Sequence, residues 1–196
     1  MKDMMDVDRL QMFLRHSDTK TKHFFIYLNQ CAPLICHLKP AQLISISSTQ
    51  KSDFQTFLKT YQLKHIILYQ QKEFLISLIY NFKALTQLLQ QEEIKDYLLK
   101  NGYSSCGFHK SISILKLRML QYYRNKIDYP NEVGVFLGYT LDDVCAFQKY
   151  GGKAALYHGY WSVYSKVKEK KEIFNQYDLA RYRVLDSFLT EVGRKY

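Results

Sequence analysis

Two short stretches hold most of the side chains that could act on, or bind, another molecule. The first, residues 131–147, reads NEVGVFLGYTLDDVCAF and contains one glutamate and two adjacent aspartates. Carboxylates act as general acids or bases when their pKa is shifted toward neutrality. A structural interpretation competes, because Thr140 and Asp143 have the spacing of a helix capping box. We expect Asp142 and Asp143 to stabilise the first turn of a helix, where negative charge is favoured.

Glu132, in the same stretch, has no such capping role. It opens a short predicted helix over 132–137, and Gly138 suits the left-handed position that follows a helix end. We therefore regard Glu132 as the better functional candidate among these carboxylates.

The second stretch, residues 153–165, reads KAALYHGYWSVYS and is predicted to be a strand with aromatic residues on both faces. Gly159 indicates a bulge or a close backbone approach. His158 is either a strand histidine bonded to a neighbour or a ligand presented beside Tyr160. If the chain reverses at Gly151 and Gly152, the two stretches meet.

We accordingly predict one ligand-binding site. Its candidate residues are Glu132, Tyr139, His158, Tyr160 and Trp161. The alternative is that the aromatic rings only form the joint between small helices and the sheet.

The cysteines permit a weaker hypothesis. Cys31 and Cys36 lie five positions apart beside His37, so these three are the candidate ligands if a metal binds. The chain has no CxxC pair, and Cys106 and Cys145 are far along the sequence. Reduced structural thiols are the favoured interpretation, and we predict no catalytic residue, no bound metal and no cofactor.

The periodicity of apolar residues predicts an α+β fold for residues 1–196 as one domain, with residues 1–20 as a possible loosely attached helix. About four strands are expected in one mainly antiparallel or mixed sheet, with a helical insertion between the third and fourth. A long C-terminal helix follows. Predicted strands cover 42–47, 65–69, 74–80 and 153–165. Predicted helices cover 5–16, 21–31, 52–61, 82–90, 92–100, 107–126, 132–137, 140–150 and 167–196.

Two helix boundaries rest on local signals. Ala32 and Pro33 are expected to end the second helix. Ser52 and Gln55 form a second capping-box pattern at the start of the third helix.

The chain has a formal net charge of +10, which attracts nucleic acid, phosphorylated ligands or an acidic protein. In the predicted helix 107–126, however, Lys110, Lys116, Arg118 and Arg124 are expected to spread around the helix. A nucleic-acid-binding helix would collect them on one side. A core helix with a solvated basic surface is the favoured interpretation there.

No apolar span is long enough to cross a membrane, and the first residues do not resemble a signal peptide. The sequence therefore predicts a cytoplasmic protein. Nucleotide-loop, zinc-protease and nucleophile-elbow motifs are absent from the sequence.

A resemblance covers nearly the whole chain. The early CAP and KPA tripeptides (31–33 and 39–41) and the later PNEVGVFLGY, DDV and GYWSVY segments resemble the bacterial family known as domain of unknown function 3793. Two positions depart from the family pattern, since Asn131 stands where a histidine is usual and His158 where a cysteine is common. The resemblance implies a bacterial, soluble protein and assigns no activity.

Three functions remain open at this point. The first is a non-catalytic binding or regulatory protein with an anionic or acidic partner, recognised through basic and tyrosine-rich surface. The second is a protein that handles a small ligand, metal or haem iron through His158, Tyr160, Cys31 or Cys36. The third is an enzyme built around Glu132.

Overall fold

A computed structural model describes residues 7–103 and 107–193. Along the chain the helices are α1 (Val7–His16), α2 (Thr19–Ile35), α3 (Lys51–Thr60), α4 (Phe82–Leu89), α5 (Glu92–Lys100), α6 (Phe108–Tyr123), α7 (Val133–Phe136), α8 (Leu141–Tyr150) and α9 (Val167–Gly193). The strands are β1 (Ala41–Ser47), β2 (Lys64–Gln70), β3 (Phe74–Tyr80), β4 (Tyr157–His158) and β5 (Ser162–Val163). Short 3₁₀ turns occupy Ser48–Gln50 and Gly152–Ala154. The predicted α+β class and long C-terminal helix are confirmed.

The main sheet has three antiparallel strands in the order β1-β3-β2, so β3 is central. Alternate residues of β3 point to opposite faces of the sheet. Leu75 and Ile79 join a core with α2, α3 and α9, whereas Ile76 and Leu78 join a core with α4 to α8. The sheet is therefore the middle of three layers, with helices on both faces.

The predicted fourth strand, 153–165, does not join that sheet. β4 and β5 pair only with each other, as a two-stranded ribbon. The amide of Gly159 donates to the carbonyl of Trp161 over 3.1 Å, so the chain reverses within the segment. A continuous strand was expected because side-chain alternation alone does not reveal this turn.

Two predicted helix boundaries were wrong. Helix α2 continues through Pro33 to Ile35, four residues beyond the predicted end at residue 31. Pro33 therefore lies within the last turn of the helix and does not interrupt it. The Ser52 capping box does not form, because α3 already begins at Lys51. Instead the Ser47 hydroxyl accepts from the Thr49 amide at the start of the preceding 3₁₀ turn.

Three stretches of the predictions lie outside the described residues: the first part of helix 5–16, the end of the last helix, and Cys106. Among the described residues, no helix has both the length and the hydropathy needed to cross a bilayer. The assignment of the whole chain to one domain stays a prediction.

Candidate functional site

The turn between α7 and α8 places the first part of the site. Gly138 has φ +78°, a left-handed conformation that glycine adopts without strain. A Cβ atom there would lie 2.5 Å from Cδ of Pro40. Glycine therefore lets the KPA segment press against the turn. Tyr139, the next residue, donates its amide to the Gly134 carbonyl over 2.9 Å, which folds its ring back over α7.

A cavity of about 320 Å³ opens between α7, α8 and the β4–β5 ribbon. Aromatic side chains supply much of its wall. The lining residues are Tyr129, Asn131, Val133, Gly134, Leu137, Tyr139, Asp143, Val144, Phe147, Tyr160, Trp161 and Ser162. We call it the aromatic cavity.

Two rings of the aromatic cavity form a stacked pair. The Tyr139 and Trp161 ring centroids are 4.8 Å apart with an interplanar angle of 22°. Phe174 of α9 then packs edge-on against Trp161 at 4.5 Å. Because the pair is supported from α9, its flat surfaces are held in place.

Asp143 fixes the ribbon to α8. This buried carboxylate accepts hydrogen bonds from the Trp161 indole Nε1, the Tyr164 amide and the Thr140 hydroxyl, each over 2.8 Å. The predicted capping box at Thr140 is therefore wrong in detail. The Thr140 hydroxyl donates to the Asp143 carboxylate and makes no cap to the helix amides, since that carboxylate is turned toward the ribbon.

A buried lysine balances this negative charge. Lys170 Nζ, on α9, lies 2.8 Å from Asp142 Oδ2 and 3.5 Å from Asp143 Oδ2, and it also donates to the Ser165 carbonyl. Burial raises the pKa of Asp142, but hydrogen bonds from Lys170 and Ser165 outweigh it and hold that pKa well below its usual range. Both aspartates are thus committed to the joint between α8, the ribbon and α9.

Gly159 permits the close approach that the sequence indicated. A Cβ atom at this position would lie 2.3 Å from Cε2 of Phe174. Beside it, the Tyr160 hydroxyl donates to Asp178 over 2.8 Å, and the Arg181 guanidinium donates to both the Tyr160 hydroxyl and the Asp178 carboxylate. The ribbon therefore rests directly on α9.

Lys39 lies behind the Tyr139 ring. Its buried ammonium donates to the Gln42 side chain over 2.8 Å, and it lies 5.6 Å and 5.9 Å from the ring centroids of Tyr139 and Tyr177. Burial lowers the pKa of Lys39 to about 8. Lys39 forms no ion pair with an acidic side chain among the described residues. The two aromatic faces and the Gln42 side chain therefore stabilise its ammonium.

Glu132 is placed elsewhere. It is buried, with 1% of its surface exposed. Its Oε1 lies 2.6 Å from Arg118 Nε of α6 and accepts from the Tyr103 hydroxyl over 3.1 Å. This carboxylate pairs with a cation between α6 and α7 and does not line the aromatic cavity.

His158 also lies outside the cavity lining. Its side chain is exposed, and Nδ1 lies 3.2 Å from the Ser162 hydroxyl. Cys31 is fully buried, where burial raises the pKa of its thiol to about 12. Over residues 7–103 and 107–193, no three His, Cys, Asp or Glu side chains converge as a metal site would require, and Cys31, Cys36 and His37 form no such group.

The structure thus brings Tyr139, Tyr160 and Trp161 to one cavity and leaves Glu132 and His158 out. Sequence reasoning missed the partners on α9, namely Lys170 and Phe174, because nothing in their spacing connects them to the ribbon. It also gave Asp143 a capping role. Nothing in the local sequence around Asp143 indicated that its carboxylate accepts a hydrogen bond from Trp161.

The fold and the cavity define a three-layer α+β protein with an aromatic cavity beside a two-stranded ribbon. The chain belongs to the family described as "Protein of unknown function (DUF3793)", whose sequence model matches residues 27–194. That match covers the sheet, the aromatic cavity and α9, and it confirms the resemblance seen in the sequence. No curated protein and no solved structure matches the chain at a significant level.

Proposed function

We propose that this protein is a non-catalytic binding protein whose ligand occupies the aromatic cavity. The observation that supports this most directly is the stacked Tyr139–Trp161 pair in the wall of a cavity of about 320 Å³. Small-molecule sites are typically concavities of at least this order, mostly apolar, with a few polar groups that orient the ligand.

The lining favours an uncharged, planar ring as the ligand. Asp143, the one charged lining residue, already accepts three hydrogen bonds and faces Lys170. Burial raises the pKa of Tyr129 to about 12 and also raises that of Tyr139, so both hydroxyls stay neutral at physiological pH. Flat aromatic surfaces with neutral hydroxyls and the Asn131 amide complement a heteroaromatic ring.

Two other functions have less support. A general base must reach its substrate with a free lone pair, yet Glu132 is held by Arg118 and Tyr103. A metal or haem function would need ligands that converge, and His158 and Cys31 do not. The cytoplasmic location and bacterial origin stay predictions.

Trp161 is the only tryptophan of the chain, so its fluorescence reports on the cavity directly. We would titrate the protein with adenosine, riboflavin and indole as probes and follow Trp161 emission. A saturable change with at least one probe is expected. Tyr129→Ala removes a ring from the cavity lining. An aromatic contact is worth about 1.4 kcal/mol, which corresponds to a tenfold change in Kd, so this variant should bind the probe about tenfold more weakly.

Tyr150→Ala is the matched control. Tyr150 is an exposed tyrosine that does not line the cavity, so its replacement should change the affinity by less than about twofold. Equal losses in the two variants, or no saturable response to any of the probes, would contradict the proposal.

A further inference from the structure

The outer surface of α6 carries a concentrated positive charge. At 3.6 residues per turn, Lys110, Lys116 and Arg124 fall within an arc of about 120°, and all three are exposed. Arg124 is the residue that ends the helix. The sequence expectation that these cations spread around the helix is therefore wrong for three of the four. Only Arg118 lies off this arc, where it pairs with Glu132.

No acidic residue neutralises this surface from within the helix. The segment Phe108–Tyr123 contains no aspartate or glutamate. Across the described part of the chain, Lys110, Lys116 and Arg124 form no ion pair. Their charges are therefore available to a partner.

The middle of the same arc is apolar. Leu117 is 53% exposed, and the half-buried Leu120 lies beside it at helical spacing. Exposing a large aliphatic side chain to water is unfavourable, and burying it against a partner would remove that cost. Protein–protein interfaces have this arrangement, with an apolar centre and a charged rim. We call Lys110, Lys116, Leu117, Leu120 and Arg124 the basic face of α6.

We infer that the basic face of α6 binds an acidic, amphipathic segment of another protein. Charge complementarity selects carboxylates opposite Lys110, Lys116 and Arg124, and Leu117 selects an aliphatic or aromatic side chain between them. From Lys110 to Arg124 the helix rises about 21 Å. A partner helix of about 14 residues matches that length.

The same observations weigh against nucleic acid. Binding to single strands uses aromatic rings on which bases stack, but the nearby rings are already engaged. Tyr123 stacks on Tyr69 at 4.1 Å, and Tyr122 packs edge-on against Tyr129 at 5.1 Å. An exposed leucine at the centre of the face also lacks a partner on a phosphate backbone.

The test uses the full chain and a fluorescein-labelled helical peptide of about 16 residues made of Ala and Glu, with Leu at its centre. A second peptide replaces every Glu by Gln, and an oligothymidine of similar length serves as the nucleic-acid probe. Fluorescence anisotropy at low salt should show saturable binding of the acidic peptide only. The double variant Lys110→Glu, Lys116→Glu should weaken it at least about tenfold.

Two further variants separate the charge from the apolar centre. Lys168→Glu reverses the charge of one exposed lysine of α9, outside the basic face of α6, and should alter binding by less than about twofold. Leu117→Ser should weaken binding about threefold or more without changing its salt dependence. All these residues are exposed, so circular dichroism should show unchanged folding.

Three results would overturn the inference: no saturable binding of the acidic peptide, equal weakening by Lys168→Glu, or binding of the oligothymidine in place of the peptide. None of these residues lines the aromatic cavity. Failure here and failure of the cavity proposal are therefore independent.

Discussion

The indole of Trp161 donates its Nε1 proton to a carboxylate oxygen of Asp143 over 2.8 Å, inside the protein. This bond joins the ribbon to α8, and the same carboxylate also receives the Tyr164 amide. One acidic side chain thus attaches the ribbon, and with it one wall of the aromatic cavity, to α8.

Replacing Asp143 by Asn should therefore destabilise the protein. The amide cannot accept all the donors that the carboxylate accepts, and it leaves Lys170 with less compensation, so a loss of about 2–4 kcal/mol is expected. Chemical denaturation measures the free energy of unfolding, and Trp161 emission should shift to the red. An unchanged midpoint and spectrum would show that the ribbon is held by packing alone.

Thr140→Ala removes one of the three donors to Asp143. The expected cost is about 1 kcal/mol, the usual net value of one hydrogen bond. In the background of Asp143→Asn, the same substitution should cost much less, because the partner is already altered. Additive effects in that double-mutant cycle would contradict a direct coupling.

Gly159→Ala tests the contact between the ribbon and α9. The new methyl group would stand 2.3 Å from Phe174, so the ribbon or the ring must move, and a loss of about 2–3 kcal/mol is expected. Gly152→Ala is the matched control, since its Cβ would meet only Phe147 at 3.8 Å. Replacing the phenyl ring by a smaller side chain in Phe174→Leu should restore part of the stability that Gly159→Ala loses. Equal thermal shifts for the two alanine variants would refute the contact.

The Glu132–Arg118 pair should behave as a structural unit. Glu132→Gln leaves the Arg118 guanidinium without its carboxylate. Because the Arg118 side chain is 30% exposed and still donates to the Asn101 carbonyl, the expected cost is about 2–3 kcal/mol. Arg118→Met combined with Glu132→Gln should cost less than the sum of the single changes. Retained stability in Glu132→Gln would mean that this carboxylate is dispensable for the fold and would return it to the functional candidates.

Lys39 should make stability depend on alkaline pH. Its pKa is lowered by burial to about 8 in the folded protein, against about 10.4 when unfolded. Between these values the unfolded chain binds the extra proton, so the free energy of unfolding rises as pH increases. Relative to Lys39→Met, the protein should gain about 2 kcal/mol from about pH 7.5 to 9.5. A constant difference between the two proteins over that range would contradict the lowered pKa.

Local patterns in the sequence predicted the elements well. The alternation in β1 and the spacing in α6 each reflect which residues are buried, and burial leaves a periodic signal. The position of Gly138 was also predictable, because a helix end needs a left-handed residue.

Contacts between distant segments could not be predicted in the same way. Lys170 and Phe174 reach the ribbon from α9, and Arg118 reaches Glu132 from α6, but no local period encodes these pairings. Glu132 is the clearest example. In the sequence, a carboxylate without a capping role suggests chemistry, whereas its partner Arg118 lies 14 positions away on another helix.

The fit between Gly138 and Pro40 has an evolutionary consequence. Two positions nearly a hundred residues apart share one space, since any side chain at 138 would overlap the proline ring. A smaller residue at 40 would remove the overlap but not the left-handed backbone of residue 138. Glycine at 138 is therefore expected to be retained in distant relatives of this fold, whatever residue stands at 40.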